Sequence, residues 1–216
     1  MRSMFKAYFK DFIHSSNERK ESPIGQIPLD YSYCKLGDFV KFSQGTQVPV
    51  EEQYFLEQVE PNDSVRFIRI VDYTTHQKET PRYIRKSNKQ CFCTKDEVTM
   101  VRYGNVGLVG RRIEGVIANN IFKIIPENGI TNDFLYYFLS QQSVYEFIVA
   151  SCGGSAMPSI KHSTIADLGF VLPPIELVNE FSKVAKEVEK IILLNQKEIV
   201  LLQRENSFLL AALLSH

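Results

Sequence analysis

The residues that invite a chemical reading fall into a few short clusters. Gly104-Asn105-Val106-Gly107-Leu108-Val109-Gly110 has the glycine content of a phosphate cradle. Its spacing is G-x2-G-x2-G, and strand-forming Val and Leu follow where a nucleotide site needs the start of a helix. A tight turn between two strands accounts for these glycines. Gly153-Gly154-Ser155-Ala156-Met157 does not make a nucleophile elbow, and no His is placed by sequence near a Ser or Cys in a recognisable pattern. Leu172-Pro173-Pro174-Ile175 lacks both the carboxamide and the ring with which an amino-methyltransferase grips a flipped base, so it reads as the entrance to a helix. Asp96-Glu97 stands at a strand start with no clean nuclease signature around it. Cys91 and Cys93 form a C-x-C pair while Cys34 and Cys152 stand alone, and with His76 they match no standard zinc spacing. The expectation is a chain with no catalytic residues, no metal and no cofactor.

Charge carries more information. The chain as a whole is neutral, with 25 basic and 25 acidic residues. From Arg66 to Arg112, however, eleven Lys and Arg face four acids, a net +7, while Glu51 to Asp63 is acidic. A basic middle on a neutral chain suits a protein that meets phosphate with one face. An ordinary solvated surface fits the count equally well.

The elements that must position these residues follow from periodicity. With 44% hydrophobic and 23% charged residues, the composition is that of an ordinary globular protein. No apolar run reaches the roughly 18 residues of a membrane span, and the start lacks the pattern of a signal peptide, so the expected location is the cytoplasm. Residues 1–22 read as an amphipathic helix, with Met4, Phe5, Tyr8, Phe9 and Phe12 on one face up to Ile13, and a polar linker. Residues 23–172 read as an α+β, β-rich domain. Its strands are Asp38–Phe42, Val65–Val71, Glu97–Arg102, Val106–Arg111, Val116–Ala118, Ile121–Ile125 and Gly169–Leu172. One helix, capped by Thr131 and carrying Phe134, Leu135, Phe138, Leu139 and later Phe147, interrupts them. Residues 173–216 have no Gly or Pro after Pro174, which permits a single long helix. Val188, Ile192, Asn195, Ile199, Leu202, Leu209 and Leu213 form a heptad seam along it, with Asn195 as a register-setting polar residue. Such a seam predicts a coiled coil that serves for spacing and dimerisation.

Several segments, in order along nearly the whole chain, resemble the specificity subunits of type I restriction–modification systems. They are Phe9-Lys10-Asp11-Phe12, Pro23-Ile24-Gly25-Gln26-Ile27-Pro28, Lys35-Leu36-Gly37-Asp38, Phe67-Ile68-Arg69-Ile70-Val71-Asp72, Met100 to Gly107, Phe134 to Leu139, and Gly153 to Ile160 followed by Leu172 to Leu177. Tyr31 stands near where a Trp is usual, and Val178 replaces a common Gln. The resemblance implies one target-recognition domain of the family's two, hence a half-subunit or an excised half. It further implies antiparallel pairing of the long helices as a ruler between two half-sites on double-stranded DNA. Methyltransferase subunits, and restriction subunits where present, would dock on this frame, the former using S-adenosylmethionine.

A half-site reader needs hydrogen bonds to base edges and cations on phosphate. Two polar loops qualify for the bases. They supply Gln44, Thr46 and Gln47 from one, and Tyr73, Thr74, Thr75, His76 and Gln77 from the other. For phosphate the candidates are Lys41, Lys78, Arg102, Arg111, Arg112, Ser155 and Lys161. The rival reading is a protein-interaction adaptor, an α+β domain carrying a dimerisation helix, in which the basic stretch has no role.

Overall fold

The computed structural model describes residues 1–74, 79–86, 91–152 and 158–214, and within them every side chain except those of residues 2, 208, 209 and 211–214. Helix α1 (Arg2–Phe9) opens the chain, ending earlier than the aromatic stripe suggests because Phe12 takes a positive φ of 53°. Strands β1 (Arg19–Lys20) and β2 (Ile27–Pro28) pair with each other, and β3 (Ser32–Lys35) and β4 (Val40–Gln44) follow. Next come β5 (Ser64–Ile68), the helical turn α2 (Val71–Thr74), β6 (Arg82–Arg85), β7 (Phe92–Cys93) and β8 (Val98–Val101). Strands β9 (Val109–Gly110), β10 (Gly115–Ile117) and β11 (Ile121–Pro126) complete the β-rich stretch. Helices α3 (Asn132–Leu139), α4 (Gln142–Ser151) and α5 (His162–Ala166), strand β12 (Gly169–Leu172) and helix α6 (Ile175–Leu214) close the chain.

The fold is α+β, as the alternation predicts. One sheet has the order β4-β11-β8-β9 and is antiparallel throughout. A second, β6-β5-β10-β7, contains one parallel pairing, β5 with β10. Strands β3 and β12 form a separate two-stranded ladder. The largest core cluster joins the inner residues of the first sheet (Val98, Met100, Phe122, Ile124) to Phe134, Leu135, Phe138 and Ile165 from the helices. Phe5 and Phe9 of α1 belong to the same cluster, meeting Phe134 and Phe181 with ring centroids 5.4, 5.5, 5.1 and 5.1 Å apart. Offset and edge-on aromatic contacts of this kind add to plain area burial.

Two helical expectations are corrected. The single helix after Thr131 is two, broken at Ser140-Gln141. Thr131 does cap the first, its Oγ1 accepting from the Phe134 amide at 3.1 Å. The second buries Val144 and Ile148 and leaves Phe147 49% exposed, so the two apolar faces are out of phase. The loop expected at Tyr73-Thr74 is instead the end of α2.

Helix α6 is unbroken over 40 residues, about 60 Å. Leu177, Val178, Phe181 and Ala185 are buried against the domain. From Lys190 to Ser207 every residue is exposed. The stretch from Lys190 to Ser207, about 27 Å of helix, therefore runs beyond the last docked turn.

Candidate nucleic-acid interface

Three segments converge at one rim of the first sheet. The β4 strand ends at Gln44, and Gly45 follows with its amide on the Ile121 carbonyl at 3.0 Å. A Cβ on Gly45 would stand 2.1 Å from the Ala118 carbonyl oxygen, so only glycine lets the 44–47 segment lie this close to the β10–β11 turn. Thr46 donates its amide to the Ile117 carbonyl at 2.9 Å, and the turn itself closes through the Ile121 amide on the Ala118 carbonyl at 2.9 Å. Arg102, just past β8, gives its amide to the Asn120 carbonyl at 2.8 Å and takes the Ile160 amide on its own carbonyl at 2.9 Å. This brings Lys161 and His162 to the same rim.

The side chains there form a polar row. The Gln44 carboxamide donates to the backbone carbonyls of Asn119 and Ile121, and Arg102 Nη1 lies 3.5 Å from its oxygen. Asn119 Nδ2 donates to Gln47 Oε1 at 3.5 Å. His162 stacks on Phe42 with ring centroids 4.9 Å apart. Burial, with the charge of Arg102, lowers its pKa and so favours the neutral imidazole. His162 Nε2 and Asn120 Oδ1 are buried without a partner among the described residues. Gln47 and Lys161 are exposed, and Thr46 and Asn119 are half-buried.

Of the residues expected to read bases, Gln44, Thr46 and Gln47 thus sit together. Gln44, however, spends its amide on backbone, which makes it a brace for the turn. Tyr73 is not a reader. Its hydroxyl bonds Thr99 Oγ1 at 2.8 Å, its ring covers Gly110, and burial raises its pKa. Thr74 is exposed at the end of α2, its Oγ1 3.4 Å from the Ile70 carbonyl. Thr75, His76, Gln77, Lys78 and Ser155 lie outside the described residues. Asn119, Asn120 and His162 were not anticipated. The Asn pair lies in the gap between the expected strands Val116–Ala118 and Ile121–Ile125, and nothing local marks its side chains.

The phosphate candidates separate in the same way. Arg102 and Lys161 stand at the rim. Lys41 is exposed but near the other end of β4, salt-bridged to Glu127. Arg111 is withdrawn from solvent, its side chain 3% exposed, with Nη1 2.9 Å from Asp133 Oδ1 and 3.5 Å from Glu189 Oε1. Asp133 is itself 2% exposed, and Arg112 pairs with the same Glu189 on α6. The two arginines hold the long helix to the domain and are not free for phosphate. Arg66 and Arg69 are likewise drawn to Asp72, at 2.9 and 3.5 Å. Arg82 lies 3.7 Å over the Phe55 ring, and Lys86 donates to the Asn62 carbonyl. The local +7 therefore overstates the charge that a partner would meet.

Among the described residues no group of three His, Cys, Asp or Glu is placed to hold a metal ion. Cys91 and Cys93 are buried thiols, and burial pushes Cys93 up to about 12. Nor, among those residues, is any helix long and apolar enough to cross a membrane. On α6 the seam residues Ile192, Asn195, Ile199 and Leu202 are exposed and Val188 is half-buried, while the side chains of Leu209 and Leu213 lie outside the described set.

The chain thus combines a braced polar rim on an α+β domain with a helix that outruns the domain's own core. The chain belongs to the family of type I restriction modification DNA specificity domains, whose model matches residues 28–204. It is similar to the type I restriction enzyme MjaVIII specificity subunit of Methanocaldococcus jannaschii, 22% identical over 180 residues, which are 83% of this chain and 40% of that protein. The MjaIX specificity subunit of the same organism is 22% identical over 192 residues, 87% of this chain and 44% of that one. Among solved structures, the HsdS subunit from Thermoanaerobacter tengcongensis superposes with a TM-score of 0.56 at 16% identity, over 88% of this chain and 43% of that one. That last likeness is one of fold. The chain spans less than half the length of each of these relatives.

Proposed function

We propose that this chain is a non-catalytic specificity module that reads one half of a bipartite target on double-stranded DNA in the cytoplasm. Type I methyltransferase subunits, and restriction subunits where present, would supply the chemistry. The observation that carries the reading is that the family match runs without a break from the domain into the projecting part of α6. A helix extending about 27 Å past its last docked turn has no use in its own domain's core and is suited to fix a distance.

The exposed helix offers surface for more than one partner. Val188, Ile192, Asn195, Ile199 and Leu202 continue the face that docks on the domain, and a second copy in antiparallel orientation would cover them. Leu193, Leu194, Val200 and Leu201 are 47%, 55%, 47% and 58% exposed on the remaining faces, where a methyltransferase subunit could pack. Exposed apolar residues on more than one face, interleaved with Lys197, Glu198, Arg204 and Glu205, suit a helix that meets partners on more than one side.

The test is sedimentation of the full chain followed by DNA retention with a type I modification subunit present. The reading expects a mass near twice 24.8 kDa and retention that falls steeply as salt rises. The adaptor reading gains from the internal pairing of Arg66, Arg69, Arg111 and Arg112. It expects the same mass and no salt-dependent retention, and that result would end the DNA assignment.

A further inference from the structure

Resting on the half-site reading, we propose that Asn119 and Gln47 act together as a composite amide that reads the major-groove edge of one adenine. The proposal starts from how firmly the two are held. Gly45 permits backbone contact between the 44–47 segment and the 118–121 turn that any side chain would block. The carboxamide of Gln44 then bolts the turn by donating to the Asn119 and Ile121 carbonyls, and Arg102 Nη1 fixes which way that carboxamide points. Asn119 is therefore presented from a braced turn. Pre-set groups lose little freedom when a ligand arrives, which is the condition for discrimination by hydrogen bonds.

The Asn119 Nδ2 to Gln47 Oε1 contact, at 3.5 Å, uses one donor of the first residue and the acceptor of the second. What remains, unpartnered among the described residues, includes the Asn119 Oδ1 acceptor and the Gln47 Nε2 donor. Adenine offers the complement in the major groove, an N6 donor beside an N7 acceptor. Guanine offers two acceptors there, and its O6 would face Asn119 Oδ1 without a proton between them. One side chain normally makes this bidentate contact; here two neighbouring amides divide it. Lys161, exposed on the same rim, is placed to meet a backbone phosphate, while Gln44 is a positioning residue.

The experiment is selection from a randomised duplex DNA library by the full chain, with a type I modification subunit present, followed by sequencing. Wild type should enrich a motif containing a fixed adenine. Asn119→Ala and Gln47→Ala should each lose roughly tenfold in preference at one and the same adenine, and keep the rest of the motif. Gln47→Glu, which replaces the Gln47 donor by an acceptor while Asn119 keeps its own N–H donors, should shift that position toward cytosine and its N4 donor, an outcome no misfolded variant can produce. Lys161→Ala should weaken all sequences alike and reduce the salt slope by about one. A wild-type motif left intact in all three amide variants overturns the composite reader alone. If wild type enriches no motif, the half-site reading itself falls.

Discussion

Replacing Arg111 by Ala tests whether this residue serves the fold or the DNA. Its guanidinium is 3% exposed, 2.9 Å from the buried Asp133 and 3.5 Å from Glu189, with the Tyr136 ring 5.6 Å away. Removing it strands the Asp133 carboxylate in a wall where only 2% of its side chain meets water. Breaking a buried pair by deleting one partner costs about 3–5 kcal/mol, because the remaining charge is left uncompensated. For a chain of this size that lowers the melting temperature by roughly 10 °C. The chain has no Trp but 10 Tyr, so urea unfolding is best followed by circular dichroism and tyrosine emission together. A second variant, Asp133→Asn, and the double variant close a thermodynamic cycle. The double variant should lose much less than the sum of the singles, since neither then leaves a stranded charge. Arg111→Ala with a stability loss below about 0.5 kcal/mol, and a DNA affinity that drops with a reduced salt slope, would refute this reasoning and return the residue to the phosphate surface.

Further expectations follow from single contacts. Thr131→Ala removes the cap on the Phe134 amide and the 2.6 Å link from Thr131 Oγ1 to Ser182 on α6, and should cost about 1–2 kcal/mol in urea unfolding; a neutral result would deny the cap its role. Burial, with Arg102 beside it, holds His162 below its ordinary 6.5, so the unfolded chain takes up that proton first as pH falls. Its contribution is whole above pH 6.5 and is lost progressively toward the depressed folded value, and His162→Gln should flatten that part of a stability–pH curve. A curve of identical slope in the variant would place the dependence elsewhere. Ile192→Glu, Ile199→Glu and Leu202→Glu together should abolish self-association and leave the domain's melting unchanged, because all three side chains are exposed in the single chain. A drop in melting measured on the monomer would show that they pack on the domain after all.

How much of this was legible depended on the range of the interactions. Helix α6 could be read because the absence of Gly and Pro and the three-four spacing are properties of neighbouring residues. The same holds for β11 and β12, whose Ile-rich and Gly-Phe-Val-Leu runs are local, and for the Thr131 cap. The fate of a charge is not local. Arg111 finds Asp133 22 residues away, and a count of signs between Arg66 and Arg112 cannot see that pairing. Gln44 looked like a free reader because its acceptor, the Asn119 carbonyl, lies 75 residues on, across a turn that only Gly45 allows it to approach. Strand β3 escaped because Ser-Tyr-Cys-Lys has no apolar alternation; its partner β12 creates it.

The β3–β12 ladder also brings together the two ends of residues 36–168. Lys35 faces Gly169 and Ser32 faces Leu172, so the chain leaves for residues 36–168 and returns from them across one pair of strands. Opposed backbones in such a ladder are about 5 Å apart. An insert whose two tips meet at that separation could occupy the same socket only if it also resupplied the contacts that Phe134 makes with Phe5 and Phe9 of α1 and that Thr131, Arg111 and Arg112 make with α6, so that the socket demands a matched inner face as well as matched ends.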